Sequence, residues 1–276
     1  MLSLPREPIL ARSSAELTLL PGWIAEPKWD GFRAFAARRA DGAAVLQSRR
    51  GADLARAFPE ITAAAADLPE EILLDGEIVS WRDGRLAFED LPDRLRRAGP
   101  AAARLAAEHP VHYVAFDLLN RDGVDFLPRP YAERRAALEG LFAELQLGAP
   151  WVLCPASDDL ADVREWLGWS VVGVEGVVIK NRRERYRPGV RAWRKYRVRA
   201  SAEAVIGAVT GPLHRPRSLL LGRLDAAGRL HYVGRTAPLP AGHAEQLGRS
   251  SRKRLGNTRG VGGGSPRAGA AGRCWT

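Results

Sequence analysis

The chain has 276 residues, 46% of them hydrophobic, which is enough for one large core and a smaller second one. No apolar run approaches twenty residues, Arg6, Glu7, Arg12 and Glu16 interrupt the start, and Cys154 and Cys274 have no metal-ligand or disulfide spacing. These features read against a membrane span, a secretion signal and cysteine chemistry, and they lead us to expect a soluble, cytoplasmic protein; a monomer is expected as well. The net charge of +10 points toward nucleic acid, but residues 1–200 hold 30 basic and 29 acidic residues, whereas 201–276 hold 12 and 3.

From Trp23 onward, alternating apolar runs predict strands at 24–28, 32–39, 43–48, 72–81, 111–118, 151–154, 174–180 and 192–198. The dipeptides Asp41-Gly42, Asp83-Gly84 and Asp122-Gly123 mark tight turns between antiparallel neighbours. Spacing of three or four predicts helices at 58–68, 88–95, 131–147 and 160–167, the last capped by Asp158 or Asp159. The result is an α+β core with mainly antiparallel sheet over 1–200. Residues 204–210, 218–224 and 230–235 read as three short strands of a small β domain over 201–247. From 248 to 276 the chain is rich in Gly, Ser and Arg with almost no apolar periodicity, and it is expected to be disordered.

Lysine is rare: Lys28, Lys180, Lys195 and Lys253 stand against 38 arginines. A general bias toward arginine explains the rarity but not the positions. Arginine stays protonated, while a lysine amine can become a nucleophile, so the surviving lysines mark candidate chemistry. Lys28 sits in Glu26-Pro-Lys-Trp-Asp-Gly-Phe-Arg33, after a strand and before a glycine suited to a tight turn. There follow Ser48-Arg49, Leu74-Asp-Gly-Glu77-Ile-Val79, Val114-Ala-Phe116-Asp117, Val174-Glu175-Gly-Val-Val-Ile-Lys180 and Trp193-Arg-Lys195-Tyr-Arg197. Any one of these is weak evidence of function; their order and spacing together are far more specific.

In that order the segments resemble the motifs of covalent nucleotidyltransferases, specifically ATP-dependent DNA ligases, over roughly residues 20–235. The resemblance implies an ATP-grasp-like nucleotidyltransferase domain followed by an OB-fold-like β domain, here incomplete. It implies that Lys28 forms lysyl-AMP from ATP, that Glu26 recognises the adenine amino group, and that Phe116 stacks on the purine. Arg33 and Arg49 match positions that contact sugar and phosphates, Lys180 and Lys195 match phosphate-binding lysines, and Arg197 stands where many relatives have another lysine. Glu77 would serve the ribose and, with Glu175, a Mg²⁺ or Mn²⁺ ion. The implied partner is nicked or broken duplex DNA.

Elementary chemistry asks for the same parts, because attack on an α-phosphorus needs an amine, cations or metal on the phosphate oxygens, and carboxylates for that metal. The strip 180–199, with ten basic residues, one acid, and Tyr186, Trp193 and Tyr196, could follow a nucleic-acid backbone. Beyond Arg235 the remaining strands and the late basic motif of the second domain are not found. An RNA ligase, a GTP-using capping enzyme and a non-catalytic nucleic-acid-binding remnant are the alternatives; Glu26 and the form of the Lys180 motif favour the DNA ligase.

Overall fold

In the computed structural model, residues 4–97, 99–198 and 203–257 are described. The elements run β1 (Ala11–Ser13), β2 (Trp23–Pro27), β3 (Phe32–Arg38), β4 (Ala44–Ser48), α1 (Pro59–Ala66), β5 (Ile72–Arg82), β6 (Arg85–Leu86), α2 (Asp90–Leu95) and α3 (Pro100–Glu108). Then come β7 (Val111–Arg121), β8 (Val124–Asp125), α4 (Tyr131–Glu144), β9 (Trp151–Leu153), α5 (Leu160–Gly168), a 3₁₀ turn (Trp169–Val172), β10 (Gly176–Asn181) and β11 (Trp193–Arg197). The remainder is β12 (Val205–Thr210), β13 (Ser218–Leu224), β14 (Leu230–Arg235) and α6 (Ala241–Asn257). The chain divides into two compact units, Met1–Arg199 and Ala200–Thr276.

The first unit contains two sheets. One has seven strands, with the path β4-β3-β5-β7-β8, β6 on β5 and β9 on β7; the other is β1-β11-β10-β2. Most pairings are antiparallel, as the alternation predicts, while β1 on β11 and β9 on β7 are parallel. Asp83-Gly84 and Asp122-Gly123 have positive φ at both residues, the requirement of the tight hairpin turn, and they join β5 to β6 and β7 to β8. Asp159 is the cap of α5, accepting from the Ala161 N–H at 2.8 Å.

The two-residue period of a strand decides which side chains can meet. On the larger sheet Ala34, Ala36, Leu74, Ile78, Tyr113 and Ala115 join a core that also takes in Ile61 of α1 and Leu138 and Leu141 of α4. Their neighbours Phe35, Leu73, Val79, Val114 and Phe116 belong to a second core shared with Trp193 of β11. Arg33, Asp75 and Glu77 fall on that second face by the same alternation. On the smaller sheet Ala25, Val177 and Ile179 pack with Val163 and Trp166 of α5. The opposite parity, with Glu26, Val178, Lys180, Trp193, Lys195 and Arg197, therefore turns toward the larger sheet.

In the second unit β12, β13 and β14 form a three-stranded antiparallel meander. The expected change to disorder at residue 248 needs correction, because α6 continues to Asn257. Glu245, Gln246, Leu247 and Arg249 are good helix formers, and isolated glycines lower helix stability without ending it. The rest of that expected tail, 258–276, lies outside the described residues.

Arg134 and Asp117 are both fully buried, and the guanidinium binds the carboxylate in a fork, Nε to Oδ1 at 2.8 Å and Nη2 to Oδ2 at 2.9 Å. Arg134 Nη1 also donates to the carbonyls of Arg129 and Glu184, so α4 is tied to the turn before β11. Removing one partner leaves an uncompensated buried charge. Arg134→Met is expected to cost about 3–5 kcal/mol in urea unfolding, with much of the loss recovered by adding Asp117→Leu. A loss below about 1 kcal/mol would show that this pair does not hold the helix.

Candidate active site

Two backbone bonds join the end of β2 to the start of β10: Lys28 N–H to the Gly176 carbonyl at 2.8 Å, and Glu175 N–H to the Lys28 carbonyl at 2.9 Å. They set the Lys28 and Glu175 side chains beside each other, and Lys28 Nζ donates to Glu175 Oε2. Gly176 also lets the start of β10 pack tightly against β11. It has φ +143°, and a Cβ there would lie 2.1 Å from the Tyr196 carbonyl oxygen. Glu175 thus stands just before β10 rather than inside it. Arg197 Nη2 reaches the same Oε2 at 3.1 Å.

Gly31 is required for a reason other than the expected tight turn. Its φ is not positive, but a Cβ would sit 2.2 Å from the Ile78 carbonyl oxygen, so the loop after Lys28 lies directly on β5 next to Glu77. Burial is the largest cause that raises the Glu77 carboxyl to about 8, with Asp75 and Asp30 adding to it and Arg33 and Lys28 opposing. Lys195 is shifted down, first by burial and then by Arg197 and Lys28.

A cavity of about 290 Å³ opens between these inner faces, near the low end of small-molecule sites at ~300 Å³. Glu26, Lys28, Arg33, Arg49, Glu77, Phe116, Lys180, Lys195 and Arg197 all line it; of the residues expected from sequence only Glu175 does not, and it touches Lys28 instead. Trp29, Val178, Arg191 and Trp193 complete most of the wall. Arg191 carried no signal beyond its place in a basic strip.

Three expected placements change. Lys180 was matched to phosphate binding, yet it is fully buried: Nζ pairs with Glu26 Oε2 at 2.6 Å, donates to the Phe116 carbonyl at 3.0 Å, and lies 4.2 Å from the centre of the Trp193 ring. It belongs with Glu26 and Phe116, because alternation in β10 turns it into the space between the sheets. Arg33 is held by Asp75 at 3.0 and 2.7 Å and by the Ile9 carbonyl at 2.8 Å, with its guanidinium 5.3 Å from the Phe116 ring centre and 5.0 Å from that of Trp193. Each of its three nitrogens already donates within the protein, and the guanidinium supports the aromatic wall. The basic strip is also less free than its composition suggests, since Arg182 pairs with Asp158 and Arg187 with Glu184, while Tyr186 and Trp193 are buried.

Asp75 has no assigned role in the sequence reading, and Tyr186 enters it only as an aromatic of the basic strip. Asp75 is fully buried and accepts from Arg33 and from the Tyr186 hydroxyl at 2.6 Å, which fixes the floor under Phe116. The residue pattern around Asp75 could have flagged it, because a carboxylate in an apolar strand needs a partner.

The cavity suits a nucleotide: an acceptor at Glu26, apolar surfaces from Phe116 and Val178, and cations at Lys28, Arg49, Arg191, Lys195 and Arg197. A preassembled metal cage is a different matter. Among the described residues no group of three or more His, Cys, Asp or Glu could hold an ion. One or two carboxylates fit a cation that arrives on phosphate oxygens, the usual arrangement for Mg²⁺.

The raised Glu77 has a consequence for stability. Between its ordinary value of 4.5 and about 8 the folded chain keeps a proton that the unfolded chain releases. The stabilisation is complete below the lower value and lost as pH rises through the upper one. From about pH 5 to about pH 9, wild type should lose on the order of 1–3 kcal/mol relative to Glu77→Gln in urea unfolding. A difference that does not change with pH would contradict the shift.

Residues 8–197 match the ATP dependent DNA ligase domain family. The chain is 38% identical over 244 residues to DNA ligase C2 of Mycolicibacterium smegmatis, covering 86% of this chain and 67% of that protein. It is 34% identical over 257 residues to DNA ligase C of Mycobacterium tuberculosis, covering 88% and 69%. Among solved structures, a mycobacterial DNA ligase D complexed with ATP and MES is similar at 28% identity and a TM-score of 0.58, over 90% of this chain and 76% of that one. With the two-sheet core and the ordered motifs around one cavity, these similarities establish that the chain belongs to the ATP-dependent DNA ligase family, whose members act through a lysyl-AMP intermediate.

Proposed function

We propose that Lys28 is the residue that carries AMP and that the cavity between the sheets is the adenylation site. The observation that carries this reading is the position of Lys28 on the wall shared by Glu26 and Phe116 on one hand and Arg49, Lys195 and Arg197 on the other. An adenine at Glu26 and Phe116 would leave its phosphates among the cations. Lys28 Nζ, once free of Glu175 and of its proton, would form a bond to the α-phosphorus while the bond to pyrophosphate breaks. AMP would then pass to a 5′-phosphate, and a 3′-hydroxyl would attack that phosphate and release AMP, sealing nicked or broken duplex DNA.

Each side chain has a part in this scheme. Lys195 and Arg197 would balance the growing charge on the phosphates, and Arg49 would bind nearby or approach the 5′-phosphate. Glu77 would accept from the ribose. Glu175, with Glu77, would hold a divalent ion, Mg²⁺ or Mn²⁺, which supplies charge neutralisation on the phosphate oxygens. The segment 1–200 is read as the adenylation domain, and the meander of β12 to β14 as the opening of an OB-like second domain, an order of elements that follows the family motif order.

Incubation with labelled ATP followed by denaturing electrophoresis should mark wild type covalently, while Lys28→Arg, which keeps the charge but loses the nucleophile, should lose at least about a hundredfold of the label. Equal labelling of both would refute the role of Lys28, and labelling from GTP alone would refute the choice of ATP. In a second assay, a nicked duplex with DNA strands should be sealed in preference to one with RNA at the nick; the reverse order would move the substrate to RNA.

A further inference from the structure

Glu26 is buried, and both of its carboxylate oxygens are engaged. Oε1 accepts from the Tyr131 hydroxyl, with Arg135 Nη1 at 3.9 Å, and Oε2 faces Lys180 Nζ at 2.6 Å. Tyr131 is the first residue of α4, buried, and not part of the cavity wall. Its backbone N–H donates to the Glu184 carbonyl at 2.8 Å, and Arg134, one turn on, binds that same carbonyl at 3.1 Å. The start of α4 is therefore pinned, and the hydroxyl cannot follow Glu26 if the carboxylate turns. Burial, then the neighbouring Glu26, pushes the Tyr131 hydroxyl well up, so it stays protonated and remains a donor.

We propose that Tyr131 is a positioning residue for purine selectivity: together with Lys180 it fixes the Glu26 carboxylate in the orientation that accepts from a 6-amino group. The inference rests on the reading that Glu26 faces that edge of the base. A carboxylate held by donors on both oxygens presents only acceptor lone pairs to the cavity. A purine with a 6-amino donor completes the set, a purine with hydrogen there leaves a lone pair without a partner, and a 6-oxo purine sets acceptor against acceptor. Tyr131 acts through Glu26 and does not touch the base, so its loss should alter choice between bases more than the rate of the chemical step.

The test compares labelling of Lys28 by ATP with labelling by purine riboside triphosphate, which lacks the 6-amino group, in wild type, Tyr131→Phe and Glu26→Ala. Tyr131→Phe keeps the ring beside Lys180 and removes only the hydroxyl. Its preference for ATP over the analogue should fall by about five- to tenfold, through a higher KM for ATP, with kcat and the analogue little changed. Glu26→Ala should lose the preference altogether. If Glu26→Ala keeps the wild-type preference, the reading of Glu26 itself fails. If Glu26→Ala loses it while Tyr131→Phe keeps it, or slows both nucleotides equally, the positioning role of Tyr131 is overturned.

Discussion

The site depends on the clamp between the end of β2 and the start of β10. Reciprocal hydrogen bonds between Lys28 and the Glu175-Gly176 pair align these strands, and the Glu175 carbonyl also accepts from Val198 beyond β11 at 3.0 Å. Two chain segments far apart in sequence, the end of β2 and the β10–β11 pair, thus converge where Lys28, Glu175 and Arg197 emerge. Only glycine at 176 lets the start of β10 come this close to β11, and Gly31 does the same where the loop after Lys28 meets β5. The two glycines of the motifs are thus packing requirements.

Once the sheets face each other, strand alternation does the rest. Every second residue of β3, β5, β7, β10 and β11 points into the space between them, so polar residues at those positions would be costly unless paired. The pairing is nearly complete: Arg33 and Tyr186 serve Asp75, Arg134 serves Asp117, and Lys180 and Tyr131 serve Glu26. Such buried pairs add little net stability compared with an apolar core, but they hold side chains in one arrangement. The cations with fewer internal partners, Arg49, Arg191 and Lys195, lie on the cavity wall, where an anionic ligand could meet them.

Much of this was legible in sequence because it is periodic or punctuated. The strands that carry Arg33, Glu77, Phe116 and Lys195 follow from alternation, and the hairpins at Asp83-Gly84 and Asp122-Gly123 from their turn chemistry. Other features were hidden for physical reasons. Strand β1 has three residues and exists through long-range parallel pairing with β11, so it has no local pattern. Helix α3 is mostly alanine, which favours a helix but blurs the apolar stripe that reveals one. Lys180 and Lys195 look alike as lone lysines, and only the register of β10 and β11 separates a buried partner of Glu26 from a lysine nearer the other cations. The work of Tyr131 and Tyr186 depends on contacts more than a hundred residues away in sequence, which no spacing rule reports.

The central claim is that one lysine of four carries AMP because the strand clamp places it, and not its rivals, against the phosphates. Peptide mapping by mass spectrometry after incubation with ATP and a divalent cation tests this directly. The account predicts an AMP adduct confined to the peptide containing Lys28. An adduct on Lys180, Lys195 or Lys253 instead, or none on any lysine, would contradict it.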